Sequence, residues 1–300
     1  MRISSTQFKT TMALTLQQSQ GTMSDLIIKM GSGKKLLRPS DDPIASLRLL
    51  RLERDEAALA QYRENISTLN SRLSTDEALL DGMKSDTQAA RDLLVWAADG
   101  NNSLDDLAAM ATSLESLRDS LLYSANSKDG DGRYRFSGTA TGTAAMLFDE
   151  TAAPGTRYSF GGNENLQEVL VGDGVKQPAN TTLSEMADLL NALDKAVDSI
   201  KNPVPGADVS AGLRDALGQV DAGLEAITGK MARIGGAQNT LSVMDQNHEN
   251  VSLANQGVVG ELGSLDYASA YLELNTWTMA LQASQKAYGK ISSLTLFDVV

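Results

Sequence analysis

From Ala45 to Ala97 one column of residues repeats at every seventh position: Ala45, Leu52, Leu59, Ile66, Leu73, Leu80, Thr87 and Leu94. Only Thr87 is polar. A companion column holds Tyr62, Leu69, Met83, Ala90 and Ala97, and is interrupted by Arg48, Asp55 and Asp76. A seven-residue repeat of this length demands one unbroken helix with a narrow apolar seam. At 1.5 Å per residue that helix runs roughly 80 Å, the length of a rod rather than of a globule's helix. The seam must be covered by something equally long. The only other stretch of that kind is Leu213, Val220, Ile227, Ile234, Leu241, His248, Asn255 and Leu262. Its companion column begins Leu217, Leu224, Met231 and turns polar at Gln238, Asp245 and Ser252. The two stretches most simply cover each other as an antiparallel coil. His248 and Asn255 then read as polar seam residues that cost stability and fix register, and Leu at both is expected to raise the melting temperature.

Both ends carry shorter stripes. Phe8 is followed by Met12, Leu16, Ser19, Met23, Leu26 and Met30, which from Met12 on are spaced by alternating fours and threes, the spacing of a helix seam. Gly31, Gly33 and Pro39 break the pattern, and Ser40-Asp41-Asp42-Pro43 restarts it, with Asp42 as N-cap and Pro43 as first helical residue. Near the other end Gly257, Gly260 and Gly263 loosen the chain before a last helix over about 266–293. Its seam is Tyr267, Leu274, Leu281 and Tyr288, flanked by Ala270, Trp277 and Ile291, and a second apolar face runs through Ala268, Leu272, Met279, Ala283 and Ala287. Residues 1–30 hold four charged side chains and 265–300 five, whereas 44–64 alone hold eight. A charge-poor helix with two apolar faces is buried on both. Two such helices cannot cover each other's outer faces, so the ends require neighbours.

Between the coils, Asp99-Gly100-Asn101-Asn102 reads as a turn and Ser103 with Asp106 as an acidic capping box, opening a helix through Leu107, Met110, Leu114, Leu117 and Leu121. Residues 127–180 are glycine-rich, with β-like runs at Tyr134-Arg135-Phe136 and Tyr158-Ser159-Phe160. A second capping box, Thr182/Glu185, opens a helix that Pro203 and Pro205 end. The expected fold is mainly α: a long antiparallel coiled-coil bundle formed by both chain ends around a small β-rich insert. The expected domains are 1–43 with 264–300 (terminal assembly domain, mobile in the monomer), 44–126 with 181–263 (helical rod core), and 127–180 (exposed insert).

Composition removes most chemistry. A net charge of −12, with no basic cluster beyond Lys34–Lys35, argues against binding nucleic acid through its phosphates. With no cysteine and one histidine, neither thiolate nor multi-histidine metal sites can form. Gly31-Ser32-Gly33-Lys34 lacks the spacing of a phosphate loop, and Arg133 spoils Asp129-Gly130-Asp131 as a calcium loop. His248-Glu249 has Ser252 where a zinc-protease helix needs its second histidine. Asp41-Asp42 reads as a capped bend rather than a catalytic carboxylate pair. No enzyme, cofactor, metal site or membrane contact is expected. No stretch is long and apolar enough to span a bilayer, and the first 30 residues have no secretory leader.

The start Met1-Arg2-Ile3-Ser4, the segment Gly33-Lys34-Lys35 leading to Pro39-Ser40-Asp41-Asp42-Pro43, and the paired coiled-coil ends around an insert resemble the flagellin family. Within it, Tyr134-Arg135-Phe136-Ser137-Gly138 and the ending Leu294-Thr295-Leu296-Phe297-Asp298 are similar to the branch that joins hook to filament. The terminal Val299-Val300 departs from that branch, where an aromatic is expected. The resemblance implies a structural protein of the extracellular flagellum, exported without a cleaved signal, that sits as a ring between hook and filament and adapts one helical lattice to the other. It implies as partners other copies of itself, a hook-associated protein on the hook side, flagellin on the filament side, and a cytoplasmic export chaperone. The assembly residues would be Phe8, Met12, Leu16, Met23, Leu26 and Met30 at the N-terminal end. At the C-terminal end, shared with the chaperone, they would be Tyr267, Leu274, Trp277, Leu281, Tyr288 and Ile291. A filament subunit proper is the near alternative, and a cytoplasmic coiled-coil adaptor would share the heptads.

Overall fold

The structure, a computed structural model, describes residues 2–99, 102–203 and 208–293. Met1, Gly100, Asn101, Pro205 and the ending 294–300 lie outside them. Each long repeat forms one helix of 55 residues, α2 (Pro43–Ala97) and α5 (Val209–Gly263). Around them stand α1 (Arg2–Ser32), α3 (Leu104–Ala125), α4 (Met186–Lys201) and α6 (Tyr267–Ser293). The chain divides into two compact units, Met1–Ala58 with Glu249–Val300, and Leu59–His248.

In the second unit the seam of α2 is buried at Ile66, Leu69, Leu73, Asp76, Leu80, Met83, Thr87, Ala90, Leu94 and Ala97, which joins both heptad columns. Arg63 meets Asp245 at 2.9 Å, Ser74 meets Gln238 at 3.2 Å, and Arg91 meets Asp221 at 2.6 Å. One number climbs as the other falls, so the two coils run antiparallel. On α5 the buried residues are Leu213, Ala216, Val220, Gly223, Ile227, Ile234 and Leu241. The expected companion column of Leu217, Leu224 and Met231 is only half-buried. Small residues replace it in the core because α4 packs close to α5: a Cβ on Gly223 would lie 3.2 Å from the Leu189 side chain. α3 and α4 complete the bundle, joined by Lys201–Glu115 at 2.5 Å and by the buried Asp194, which accepts from Arg118 at 3.0 Å and from the Gly155 amide at 2.9 Å.

The insert consists of two antiparallel hairpins. β1 (Met146–Phe148) pairs with β2 (Tyr158–Phe160), and β3 (Glu168–Gly172) with β4 (Val175–Pro178), the latter with a register shift between Leu170 and Gly172. Two asparagines anchor the first hairpin by exchanging both amide bonds with a strand residue. Asn126, at the end of α3, does so with Met146 at 2.8 and 2.9 Å; Asn191 on α4 does so with Tyr158 at 2.9 and 2.8 Å.

Several expectations need correction. Tyr134-Arg135-Phe136 is not a strand: Tyr134 makes only an isolated bridge to Lys128, and the run bends. Arg135 turns in to bind buried Asp76 at 2.8 Å, and Gly138, at φ +71°, leaves no room for a Cβ against Asn163. The Ser103/Asp106 capping box forms, whereas Thr182/Glu185 does not: α4 begins at Met186 with no side-chain cap, and Glu185 pairs with Lys230 at 3.1 Å. Gly31 stays inside α1, and Gly257 and Gly260 stay inside α5.

Candidate assembly surface

The first unit holds the two chain ends. The chain leaves helix over 33–42 between α1 and α2 and over 264–266 between α5 and α6, and the backbone zips the two breaks together. Lys35 N–H donates to Gly263 O at 2.8 Å, Leu265 N–H donates to Gly33 O at 2.9 Å, and Lys34 and Ser264 face each other as an antiparallel bridge. Gly33 takes φ +69°, the left-handed conformation that ends a helix, and a Cβ there would lie 3.2 Å from the Tyr267 hydroxyl. Leaving this ladder, α1 and α6 pack along each other in opposite directions. Farther along, Thr278 Oγ1 lies 3.8 Å from Met23 Sδ.

The restart after Gly33 is built by two neighbouring carboxylates. Asp41 accepts from the Leu37 amide at 3.0 Å and the Arg38 amide at 3.3 Å, closing the loop. Asp42 accepts from the Ile44 and Ala45 amides at 3.1 and 3.0 Å, capping α2, whose first residue is Pro43. Ser40 is exposed on the same turn. The Leu37 amide, followed by that of Arg38, holds the Asp41 carboxyl below the usual carboxylate range, and Lys29 at 3.9 Å adds to it.

The candidate residues fall mainly on the shared seam. Leu26 is buried, and Met12, Leu16, Met23 and Met30 are half-buried; across from them Leu274, Trp277, Leu281 and Tyr288 are half-buried and Ala270 is buried. Trp277 Nε1 donates to Glu273 at 3.3 Å. Tyr267 is not on the seam. It is exposed, with its hydroxyl over Gly33. Phe8 and Ile291 lie within α1 and α6, and their side chains lie outside the described ones.

The outer faces of the pair are open and apolar. Leu14, Ile27 and Ile28 on α1, and Tyr271, Leu272 and Met279 on α6, are all more than half exposed. Where the start of α2 meets the end of α5, Leu36, Leu37, Leu47, Leu50 and Val259 line an open groove of about 680 Å³. Below the groove the two long helices are joined by a polar clamp. Glu56 accepts from Ser252 Oγ at 2.6 Å and from Asn255 Nδ2 at 3.0 Å. These bonds, Ser252's first, hold the Glu56 carboxyl below its usual range despite some desolvation. Asn255 is thus a carboxylate ligand and not an idle polar seam residue. His248, in the second unit, stacks on Tyr62 at 5.7 Å and meets Val171 O at 2.8 Å through Nε2.

The sequence reading missed the groove, the clamp and the ladder. For the groove there was a signal, the apolar pairs Leu36-Leu37 and Leu49-Leu50 on either side of the bend. For the other two there was none, because their partners stand about two hundred residues apart.

This arrangement is a half-covered helix pair with open apolar faces, with no cluster of metal-ligating side chains among the described residues. No described helix is long and apolar enough to cross a membrane. Residues 3–141 match the family model described as the bacterial flagellin N-terminal helical region. The chain is 28% identical over 291 residues to flagellar hook-associated protein 3 of Escherichia coli K12, covering 90% of each chain. It is 34% identical to a structure assigned as a flagellar hook-associated protein from Vibrio parahaemolyticus, with a TM-score of 0.68, over 75% of this chain and all of that one. The flagellar junction protein of Legionella pneumophila shares the fold, with a TM-score of 0.58 at 13% identity over 71% of this chain and 100% of the other.

Proposed function

Because this chain belongs to the flagellin family, with relatives among the hook-associated proteins that match it over nearly their whole length, we propose that it is a structural subunit of the flagellar hook–filament junction. There it adapts one helical lattice to the other and gives the filament a base to grow on. The observation that carries this is the α1/α6 pair, whose seam is covered within the chain and whose opposite faces are left apolar and open. Such faces are stabilised only when neighbours bury them. Contacts of unlike surfaces between copies propagate helically and do not close into a dimer.

The role is mechanical, with no catalytic step. In the free subunit the ends, 1–43 and 264–300, gain too little burial to offset their ordering entropy and are mobile; they order in the ring. The helical parts 44–126 and 181–263 form the stable core, into which the insert 127–180 packs Phe136, Met146, Tyr158 and Val171. The partners are other copies of this chain, a hook-associated protein on the hook side and flagellin on the filament side. Before export a cytoplasmic chaperone covers the α6 face at Leu274, Trp277, Leu281 and Tyr288.

Deleting the gene in its host and imaging the cells tests the reading, with flagellin assayed in the medium. The expected result is hooks without filaments, with flagellin monomer shed outside. Filaments still standing on the deletion strain would refute a junction role and favour a minor filament subunit.

A further inference from the structure

The groove at the bend has an apolar floor and a charged rim. Leu36 and Leu37 from the loop, Leu47 and Leu50 from α2, and Val259 from α5 line it, and Leu47 and Leu50 are more than half exposed. Lys34 and Arg38 stand at its edge with one lining carboxylate, Glu53, and Arg38 is also paired with Asp25 at 3.6 Å, which leaves Lys34 as the cation for an acidic ligand. A ligand that fits must be mainly apolar, narrow and weakly acidic.

The chain itself carries such a segment. Leu294-Thr295-Leu296-Phe297-Asp298 follows α6, offers three large apolar side chains, and has Asp298 as its one charge. Its own groove is out of reach. α6 starts beside the groove, at the ladder, and its 27 residues carry the chain about 40 Å away. The five residues after Ser293 span at most about 17 Å when extended. A second copy displaced along α6 by roughly the length of that helix has no such difficulty.

We infer that the groove lined by Leu36, Leu37, Leu47, Leu50 and Val259 receives Leu294–Asp298 of a second copy of this chain, with Asp298 toward Lys34. The inference rests on the junction reading and names the contact by which neighbouring copies interlock. It is a head-to-tail contact between unlike surfaces, so each copy both gives a tail and takes one. It also covers Leu47 and Leu50, which are more than half exposed among the described residues.

The chain has no cysteine, so engineered thiols give an unambiguous test. The full-length double variant Leu50→Cys/Leu296→Cys is expressed in the host, and hook particles carrying the junction are isolated, mildly oxidised and run on a non-reducing gel. The expected result is a ladder of disulfide-linked copies that neither single variant produces. Adding Lys34→Glu should cut the yield several-fold, and adding Asp298→Lys to that background should restore it. Chain present in the particles but unlinked, linked within one copy, or linked to another protein would overturn the inference and leave the junction reading intact. Chain absent from the particles would overturn the junction reading, and the inference with it.

Discussion

Cutting the bond between Arg135 and Asp76 is expected to destabilise the second unit more than any surface change of comparable size. Asp76 occupies a seam position of α2 and is fully buried, and its ion-pair partner among the described residues, at 2.8 Å, is Arg135 from the insert loop, with the charge of Arg72 adding a smaller pull. Its second oxygen, Oδ2, has no hydrogen-bond partner. Arg135→Ala would strand a carboxylate in the core, a change that costs about 3–5 kcal/mol. For a unit of this size that lowers the melting temperature by about 6–20 °C. The effect also has a sign in pH. Burial raises the Asp76 pKa, and the Arg135 hydrogen bond and charge pull it back. Without Arg135 the folded-state pKa rises further above the unfolded value. The native state then binds the proton more tightly, and the penalty, full above the folded pKa, shrinks as pH falls through it. The pair replaced together, Asp76→Leu/Arg135→Leu, should be as stable as the parent or more so, because both desolvation costs vanish. Urea melts followed by circular dichroism at pH 7 and pH 5 on the two variants and the parent decide the matter. An Arg135→Ala penalty below about 1 kcal/mol at pH 7, or one that does not change with pH, would refute the reasoning.

Two further outcomes concern the first unit. Leu281→Asp puts a charge into the α1/α6 seam and should block entry into the junction while leaving the second unit's melting transition in place; an early loss of that transition would show that Leu281 supports the core. Ser252→Ala removes the stronger ligand of Glu56 and should cost under about 1 kcal/mol at pH 7, since the carboxylate is largely solvated. Because the Glu56 pKa is lowered in the fold, that contribution exists above the unfolded value near 4.5 and fades as pH falls through the folded one, so a penalty that grows in acid would contradict the clamp.

Much of the fold could be read from periodicity, and its failures have common causes. On α2 both heptad columns are buried from Ile66 to Ala97, including the polar Asp76 and Thr87 that broke the pattern. Thr87 is accommodated because its hydroxyl donates to Met83 O at 2.7 Å within the same helix. Asp76 is accommodated because an arginine from sequence-distant chain reaches it. On α5 the rule failed where one helix faces two neighbours: a heptad describes a single seam, and the close approach of α4 selects Ala216 and Gly223 over Leu217 and Leu224. Glycine misled the reading at Gly31, Gly257 and Gly260. Inside a helix each costs only about 1 kcal/mol relative to alanine, less than a continuing seam provides, and the helices run through all three. Gly33 is different in kind, because its backbone takes a conformation that side-chain-bearing residues avoid.

The candidate site was legible in the same partial way. Charge-poor stripes at 12–30 and 270–288 mark faces that must leave water, and the structure brings these two stripes together. A stripe does not reveal its partner. Nothing in the spacing says that 33–35 and 263–265 zip through two backbone bonds, since backbone groups carry no sequence signal. Nor could spacing show that Ser252 and Asn255 converge on Glu56 from across the coil. Read alone, Asn255 is a polar residue at a seam position, and leucine there should stabilise. With a carboxylate 3.0 Å away, leucine would withdraw one of its donors and the sign reverses. Polar residues at the ends of these seams are therefore not weak places in an apolar coil. They mark where the coil gives up hydrophobic pairing for directional bonds, just before the chain bends into the α1/α6 pair.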